Sequence, residues 1–316
     1  MFLADYVQRL ADKQTEELRR KIEKVYSQAA REIRKKLEDF NRAHKIIAER
    51  MRRDVEAGKI TKQDYQDWLR NQVYTGERWK AKLAEITKIY QSADKEAREM
   101  VGETDKAVFT EAANWQAYRT EIDVNGAVSF DLYDRKTVNR LIKDNPKMLP
   151  EWKINEKKDY IWNEQRVQNA VAQGIIQGES VYDIGKRLTT ELAASNANKM
   201  DMFARTAVTG AQNAGRIERM HEAEEMGIKV KKRWLSAKDN RVRDAHGELD
   251  GVEVGVDEDF HNSIGAIRFP GDPLADPSNV YNCRCTLVYV YPEYRQKQHF
   301  EQHQTYKEWK EGRSNA

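Results

Sequence analysis

The sequence predicts an α+β protein, in which a long N-terminal helical arm or helical bundle precedes a compact domain of helices packed on a small β-sheet. Three observations predict this class. Apolar residues recur at helical spacing through residues 1–57, and this period gives way further along the chain to alternating, β-branched stretches. Hydrophobic residues make up 39% and charged residues 34% of the chain, which is enough for one moderate core. We predict a helical region over 1–118, a compact domain over 119–292 and a polar tail over 293–316.

The first 57 residues are predicted to form one amphipathic helix. Its apolar stripe consists of Leu3, Val7, Leu10, Leu18, Ile22, Val25, Ala29, Ile33, Leu37, Phe40, Ile47 and Met51. Gly58 is the predicted C-terminal cap, and Thr61, with Asp64 three residues on, begins the next helix. Further helices are predicted over 61–118, with Gly76 as a bend or break. A helix of about 57 residues would be about 85 Å long, which favours an arm that bundles or docks on a larger assembly. A helical hairpin folded back on itself is the alternative.

The compact domain is predicted to begin with a β-hairpin. The stretch TEIDVNGAVSFDLYD alternates in polarity, and Asn125-Gly126 is a strong two-residue turn signal. Helices are then predicted over 157–178, 180–194 and 198–227, from apolar periodicity and closing glycines. The segments IKVKKRWLSA and CRCTLVYVYP, which follow these helices, are predicted as strands.

The charge balance excludes a dedicated nucleic-acid coat. The net charge is +3, although residues 1–57 hold 15 Lys and Arg against 11 Asp and Glu, a local charge of +4. Contact with DNA through a local patch therefore remains open. The sequence shows neither a secretory leader nor an apolar run that could span a membrane, so we expect synthesis in a cytoplasm and no membrane partner. Two cysteines do not make a secreted disulfide framework.

A polar stripe runs along the predicted helix over 198–227. Arg205, Thr209 and Asn213 are spaced four residues apart, so they share one face of a helix otherwise rich in small residues. Two interpretations are open. The stripe either hydrogen-bonds to adjoining loops and holds the domain together, or it binds a ligand.

A charged cluster follows the first predicted strand. Asp239, Arg241, Arg243 and His246 lie within eight residues. Arginine clamps anions and histidine titrates near neutral pH, so the set could bind phosphate or perform acid–base chemistry. It could equally form a salt-bridged loop, since no nucleophile or paired carboxylates accompany it.

The two cysteines of the chain flank Arg284. In an extended strand Cys283 and Cys285 present both sulfurs on one face, with Cα atoms too far apart for an unstrained disulfide. Two thiolates on one face suit zinc, and His246 and His261 are the nearest candidates to complete the ligand set. The alternative is two small thiols packed in a core.

The motifs together resemble the phage Mu F-like minor head proteins, also called phage head morphogenesis proteins, over roughly residues 120–290. The resemblance is carried by ARTAVTGAQNAGR, KRWLSAKDNRVRDAHGELDG, FPGDP and NVYNCRCTL, in this order. The matching motif positions are Arg205, Trp234, Asp239, Arg241, Arg243, His246, Pro270, Asn282, Cys283, Arg284 and Cys285. The resemblance implies no agreed catalytic role for them, so we expect a structural or metal-binding core.

The resemblance implies a low-copy head protein of a tailed bacteriophage, made in the host bacterial cytoplasm and located in the virion. Portal, capsid or scaffold proteins are the implied partners, with several copies per particle, and a role in contacting packaged DNA and in its ejection is left open. Some family members carry an enzyme domain after the shared one. Because the sequence stops about 25 residues past the predicted strand that begins with the cysteines, we expect no such domain here. The alternative function is a packaged effector, a nuclease or transferase built on Asp239, Arg241, Arg243 and His246.

Overall fold

A computed structural model describes residues 6–74, 77–146, 148–149, 193–294 and 304–314. The chain divides into two compact units. The first unit comprises residues 1–19, 100–152 and 201–316, and the second comprises residues 20–99 and 153–200.

Most of the described chain is helical, and all the described strands lie between residues 231 and 290. The helices are α1 Tyr6–Glu56, α2 Lys62–Tyr74, α3 Glu77–Asp123, α4 Arg135–Asp144, α5 Ala193–Glu225, α6 Asp244–Gly247, α7 Pro277–Val280 and α8 Tyr306–Ser314. The strands are β1 Lys231–Leu235, β2 Glu253–Gly255, β3 Phe260–His261, β4 Ala266–Ile267 and β5 Thr286–Val290, and a 3-10 turn spans Pro292–Tyr294. The predicted α+β class is confirmed. None of the described helices is both long and apolar enough to cross a membrane.

The predicted N-terminal helix is confirmed as α1. The predicted cap at its end and the predicted start of the next helix are also observed. Gly58 adopts a positive φ of 69°, a backbone conformation that ends the helix and that glycine adopts without strain because it has no Cβ. At the start of α2, Thr61 Oγ1 accepts from the Asp64 amide at 3.0 Å, while Asp64 Oδ2 accepts from the Thr61 amide at 2.8 Å. This reciprocal capping box satisfies two amides that the first helical turn leaves unpaired. Gly76, the predicted break, lies outside the described residues, between the end of α2 and the start of α3.

In the second compact unit, the later part of α1 packs against the first part of α3. Tyr26 hydrogen-bonds to Asp94, and Lys36 forms an ion pair with Glu85. The partner number falls as the α1 number rises, so the two segments run antiparallel. The apolar side chains that are at most 1% exposed on these two segments include Ile22, Ile33, Ile86 and Ala97. In this part of the chain the N-terminal helices fold back on one another, as in the alternative to an extended arm given above.

The predicted β-hairpin is wrong. Helix α3 continues to Asp123, because its buried face extends through Ala117 and Thr120, both 0% exposed. Asn125 and Gly126 have positive φ values of 53° and 73°, and the Gly126 amide donates to the Glu121 carbonyl at 2.7 Å. The Asn-Gly pair therefore caps a helix instead of joining two strands. Helix α3 also crosses the domain boundary predicted between residues 118 and 119, and that boundary stays a prediction.

The predicted strands after α5 are confirmed and form a three-stranded antiparallel sheet in the order β2-β1-β5. Arg233 pairs with Val288 of β5 and with Glu253 of β2. A separate pair, β3 and β4, is also antiparallel. Helix α5 is bound to β5 by Arg216, which is 2% exposed and donates to the Leu287 carbonyl at 3.0 Å. The sheet and α5 together support the site described below.

Helix α5 contains most of the helix predicted over 198–227. It ends at Glu225, and Gly227 follows with a φ of 88°. The helices predicted over 157–178 and 180–194 fall mainly outside the described residues. The C-terminal tail is helical over α8, where Trp309 is 1% exposed and donates from Nε1 to Glu121 at 2.8 Å.

Candidate metal centre

Three of the predicted residues converge on one buried point. Cys283 Sγ lies 3.5 Å and Cys285 Sγ lies 3.6 Å from Nδ1 of His246. The three donor atoms lie within 4.8 Å of one another. The side chains are 1–3% exposed. We call these residues the His-Cys-Cys cluster.

The orientation of His246 is set by its second ring nitrogen. Nε2 lies 2.9 Å from the backbone carbonyl oxygen of Asn279 and 3.0 Å from its Oδ1. A carbonyl oxygen only accepts, so Nε2 carries a proton, and Nδ1 faces the two sulfurs. The indole of Trp234 meets the imidazole in a T-shaped contact, with ring centres 5.3 Å apart. His246 is therefore held from two sides.

The cysteines lie in a turn before β5, and not in the extended strand that the sequence predicts. Asn282 adopts a φ of 62°, and its amide donates to Thr206 Oγ1 at 2.9 Å. The Cys285 amide donates to Cys283 Sγ at 3.4 Å, and this hydrogen bond holds the backbone of Cys285 close to the Cys283 sulfur. Both sulfurs face the same side, as predicted, because of this turn and not because of strand alternation.

The two thiols differ in acidity. The hydrogen bond from Cys283, together with the contact to His246, lowers the pKa of Cys285 to about 5. The hydrogen bond with Cys285 and burial raise the pKa of Cys283 well above its usual range. A first thiolate therefore forms at Cys285, and its negative charge disfavours a second one at Cys283 unless a cation joins the pair.

His261 does not join the cluster. It lies in β3 with an exposed side chain, and the group of metal-binding donors among the described residues contains only the other three. The backbone partner of His261 in the β3–β4 pair is Ala266. The prediction that His261 is a ligand is therefore not supported by the geometry.

The charged residues near His246 form the salt-bridged loop that was one of the two interpretations. Both oxygens of Asp239 accept from the Arg284 guanidinium, with Nη2 to Oδ1 at 2.6 Å, and this lowers the pKa of Asp239 to about 2. Arg241 lies 3.9 Å from Asp239, and Arg243 donates to the Tyr281 carbonyl. These contacts tie the loop after β1 to the cysteine turn.

The polar stripe on α5 holds the surrounding loops. Thr209 Oγ1 donates to the Cys283 carbonyl at 3.0 Å. Asn213 donates to the Pro270 carbonyl at 3.1 Å and accepts from the Leu287 amide at 3.1 Å. Arg205 is the exception, since its ion pair at 3.8 Å is with Asp201 on the same helix. The stripe thus fixes the backbone that carries the cysteines.

Sequence reasoning missed Asn279 and Thr206, which position the cluster without belonging to it. Asn279 is 0% exposed and Thr206 is 2% exposed. Thr206 carries a weak signal, because it precedes Thr209 by three residues on the same helix. Asn279 lies in the four-residue helix α7, which is too short to show a helical period, so only its place after Asp276-Pro277 marks it as ordered.

Comparison with known proteins identifies the same part of the chain. Residues 165–288, less than half of the chain, match the family model of Phage Mu protein F like protein. The minor head protein GP7 of Bacillus phage SPP1 is 27% identical over 212 residues, which cover 66% of this chain and 67% of GP7.

Other relatives match shorter parts. An NAD(+)--arginine ADP-ribosyltransferase EFV of Enterococcus faecalis is 33% identical over 156 residues, which are 46% of this chain and 31% of that protein. The uncharacterized protein YqbB of Bacillus subtilis is 30% identical over 168 residues, which are 52% of each chain. The matches thus span about a third of the transferase, two thirds of GP7 and half of YqbB. No solved structure matches the chain.

The family match ends at residue 288, inside β5, and includes the whole His-Cys-Cys cluster. The resemblance predicted from the motifs is confirmed. Residues 165–288 are therefore similar to the Phage Mu protein F like family, and 66% of the chain is similar to a phage minor head protein.

Proposed function

We propose that this chain is a low-copy minor capsid protein of a tailed bacteriophage, bound at the portal or on the inner face of the capsid. The observation that carries the proposal is the match to GP7, a minor head protein, over two thirds of both chains. The aligned stretch of 212 residues is longer than the family-matched region of residues 165–288, so the likeness is not limited to the shared domain.

The proposed partners are portal, capsid or scaffold proteins, with several copies of this chain in each virion. Long amphipathic helices joined to a small α+β domain suit attachment to an assembly, because exposed helix faces offer extended surfaces for other subunits. Contact with packaged DNA and an influence on its ejection are the finer part of the proposal. The charge of +4 over residues 1–57 supports such contact.

A structural role, and not an enzymatic one, is favoured by the state of His246. Both of its ring nitrogens are engaged and its side chain is 1% exposed, so it is poorly placed for proton transfer to a substrate.

The second candidate is an effector enzyme delivered with the genome. It is favoured by the match to an ADP-ribosyltransferase, which covers 31% of that protein. This candidate predicts that purified chain transfers a label from NAD⁺ to an arginine-containing acceptor. It also predicts that His246→Ala removes the activity but leaves the fold and particle assembly intact.

Quantitative mass spectrometry of purified phage particles tests the leading proposal. Particles are measured before and after triggered DNA release, with the major capsid protein as the internal standard. We expect a few copies of the chain in each full particle. Loss on release indicates ejection with the genome, and retention indicates a fixed place at the portal or capsid. Absence from full particles would contradict a virion role and turn attention to the effector.

A further inference from the structure

We infer that the His-Cys-Cys cluster is a structural zinc site, in which Nδ1 of His246 and the sulfurs of Cys283 and Cys285 supply three ligands and a solvent molecule supplies the fourth. This inference does not rest on the proposed function, since it concerns only how the domain is held together. It is argued from the distances, the tautomer of the histidine and the surroundings of the sulfurs.

The distances fit zinc. A tetrahedral ion with Zn–S bonds of about 2.3 Å and a Zn–N bond of about 2.0 Å holds its sulfur and nitrogen ligands roughly 3.5 Å apart. The two sulfur-to-Nδ1 distances are 3.5 and 3.6 Å. Thiol hydrogen bonds to the ring would also give such distances. However, Nδ1 has a single lone pair and can accept a hydrogen bond from only one of the two thiols that face it, whereas one cation binds all three donor atoms.

The second layer of contacts also fits a metal site. A histidine ligand characteristically donates its other ring N–H to a carbonyl, as His246 does to Asn279 at 2.9 Å. A backbone amide also faces the sulfurs, since the amide of Cys285 donates to Cys283 Sγ at 3.4 Å. Amides that point at sulfur stabilise thiolates, which are the form of cysteine that binds zinc.

The fourth ligand is assigned to solvent because, in the described parts of the chain, no other His, Cys, Asp or Glu joins the three donors. The chain has two cysteines in total, so one copy supplies two sulfurs to the ion. With two thiolates, a neutral imidazole and water, the Zn²⁺ site carries no net charge, which suits a buried position.

Zinc would join parts of the domain that are distant in sequence. His246 belongs to α6, whereas both cysteines lie in the turn that leads into β5. These segments are also joined by the Asp239–Arg284 ion pair and the Arg243–Tyr281 hydrogen bond at the surface, and by the buried contact of His246 with Asn279. A buried ion would add a second internal link between the loop after β1 and the turn that leads into β5.

Metal analysis of the purified full-length chain tests the inference. We expect about one zinc per chain after dialysis, and an X-ray absorption spectrum that fits two sulfur and two nitrogen or oxygen ligands. Cys283→Ser, Cys285→Ser and His246→Ala should each lose the zinc. The matched control His261→Ala, which changes an exposed histidine outside the cluster, should keep it. Zinc-free wild type, or equal zinc in His246→Ala and His261→Ala, would overturn the site.

A second measurement keeps the test independent of whether the variants fold. Wild-type chain is stripped with a chelator and titrated with Co²⁺ alone. We expect sulfur-to-cobalt charge-transfer and tetrahedral d–d absorption that saturate at one equivalent, together with protection of both thiols from a thiol reagent. A spectrum without these bands would show that the thiols are packed as ordinary core residues. Four sulfurs per ion would show a site shared by two copies and would overturn the single-chain arrangement.

Discussion

At the scale of the residue, Lys232 gives the clearest dependence on pH. It lies in β1 and is 1% exposed, and its ammonium stands 5.4 Å from the ring centre of Phe260. Burial lowers its pKa from 10.5 to about 8, although nearby Asp259 favours the charged form. The folded protein therefore releases this proton near pH 8, whereas the unfolded chain keeps it until about pH 10.5. Between these values the unfolded chain binds more protons, so the free energy of unfolding rises with pH.

We predict that this rise disappears in Lys232→Met. Relative to the variant, wild type should gain stability between pH 8 and 10.5, by up to ~3 kcal/mol. Below pH 8 the difference should be constant, because Lys232 is then protonated in both states. Urea unfolding of both proteins at pH 7, 8, 9 and 10 measures the effect. Taking the difference removes the titration of the cysteines, which both proteins share. Parallel pH profiles would contradict the buried-lysine explanation.

At the scale of the element, the contact between α5 and the loop after β4 depends on glycine. Gly271 has a φ of 84°, and a Cβ at this position would stand 2.5 Å from the Gly210 nitrogen and 2.6 Å from the Gly210 Cα. The obstacle is helix backbone, which cannot rotate away as a side chain can. This approach brings Pro270 within reach of Asn213, and so it helps to set the course of the chain toward the cysteines.

Gly271→Ala should therefore destabilise the protein, by ~2–4 kcal/mol, from backbone strain and overpacking together. Gly251→Ala is the matched control. Gly251 also has a φ of 84°, but a Cβ added there would meet no atom within 4 Å, so only the backbone strain of ~1 kcal/mol applies. Urea unfolding of the two variants separates the cost of backbone strain from the cost of overpacking. Equal losses would mean that the loop moves away from α5 without cost.

The outcome for individual elements shows what local sequence can specify. Gly58 and the Thr61–Asp64 box were recognisable because a helix cap is completed within a few residues. Asn125-Gly126 led to the wrong prediction of a hairpin, because positive φ values at two successive residues occur at the end of a helix as well as in a hairpin turn. The burial of α3 on its neighbours decided between the two, and this tertiary contact has no local signature. The three residues of the His-Cys-Cys cluster were singled out from the sequence, but the role of Asn279 depends on a fold that joins residues 33 positions apart.

At the scale of the whole molecule, charge is unevenly distributed. The chain carries +3 in total, whereas residues 1–57 carry +4, so the remainder is near −1. Lys21, Lys24 and Arg31 are exposed on α1. If the chain touches packaged DNA, this helix is the expected contact, and several copies in one particle would multiply a weak individual affinity.

We therefore predict weak, salt-dependent binding of the chain to duplex DNA of any sequence. Contact with about three phosphates would reduce the affinity by about 40-fold between about 50 and about 200 mM salt, because each contact releases a condensed counterion. Replacing Lys21, Lys24 and Arg31 by Gln should reduce both the affinity and its salt slope. The same change at Lys136, Arg140 and Lys143, which are exposed on α4, removes equal charge and is the control. Fluorescence anisotropy with labelled DNA measures both. Equal losses in the two variants would assign the binding to net charge, and a binding constant independent of salt would exclude a phosphate contact, leaving protein subunits as the partners of α1.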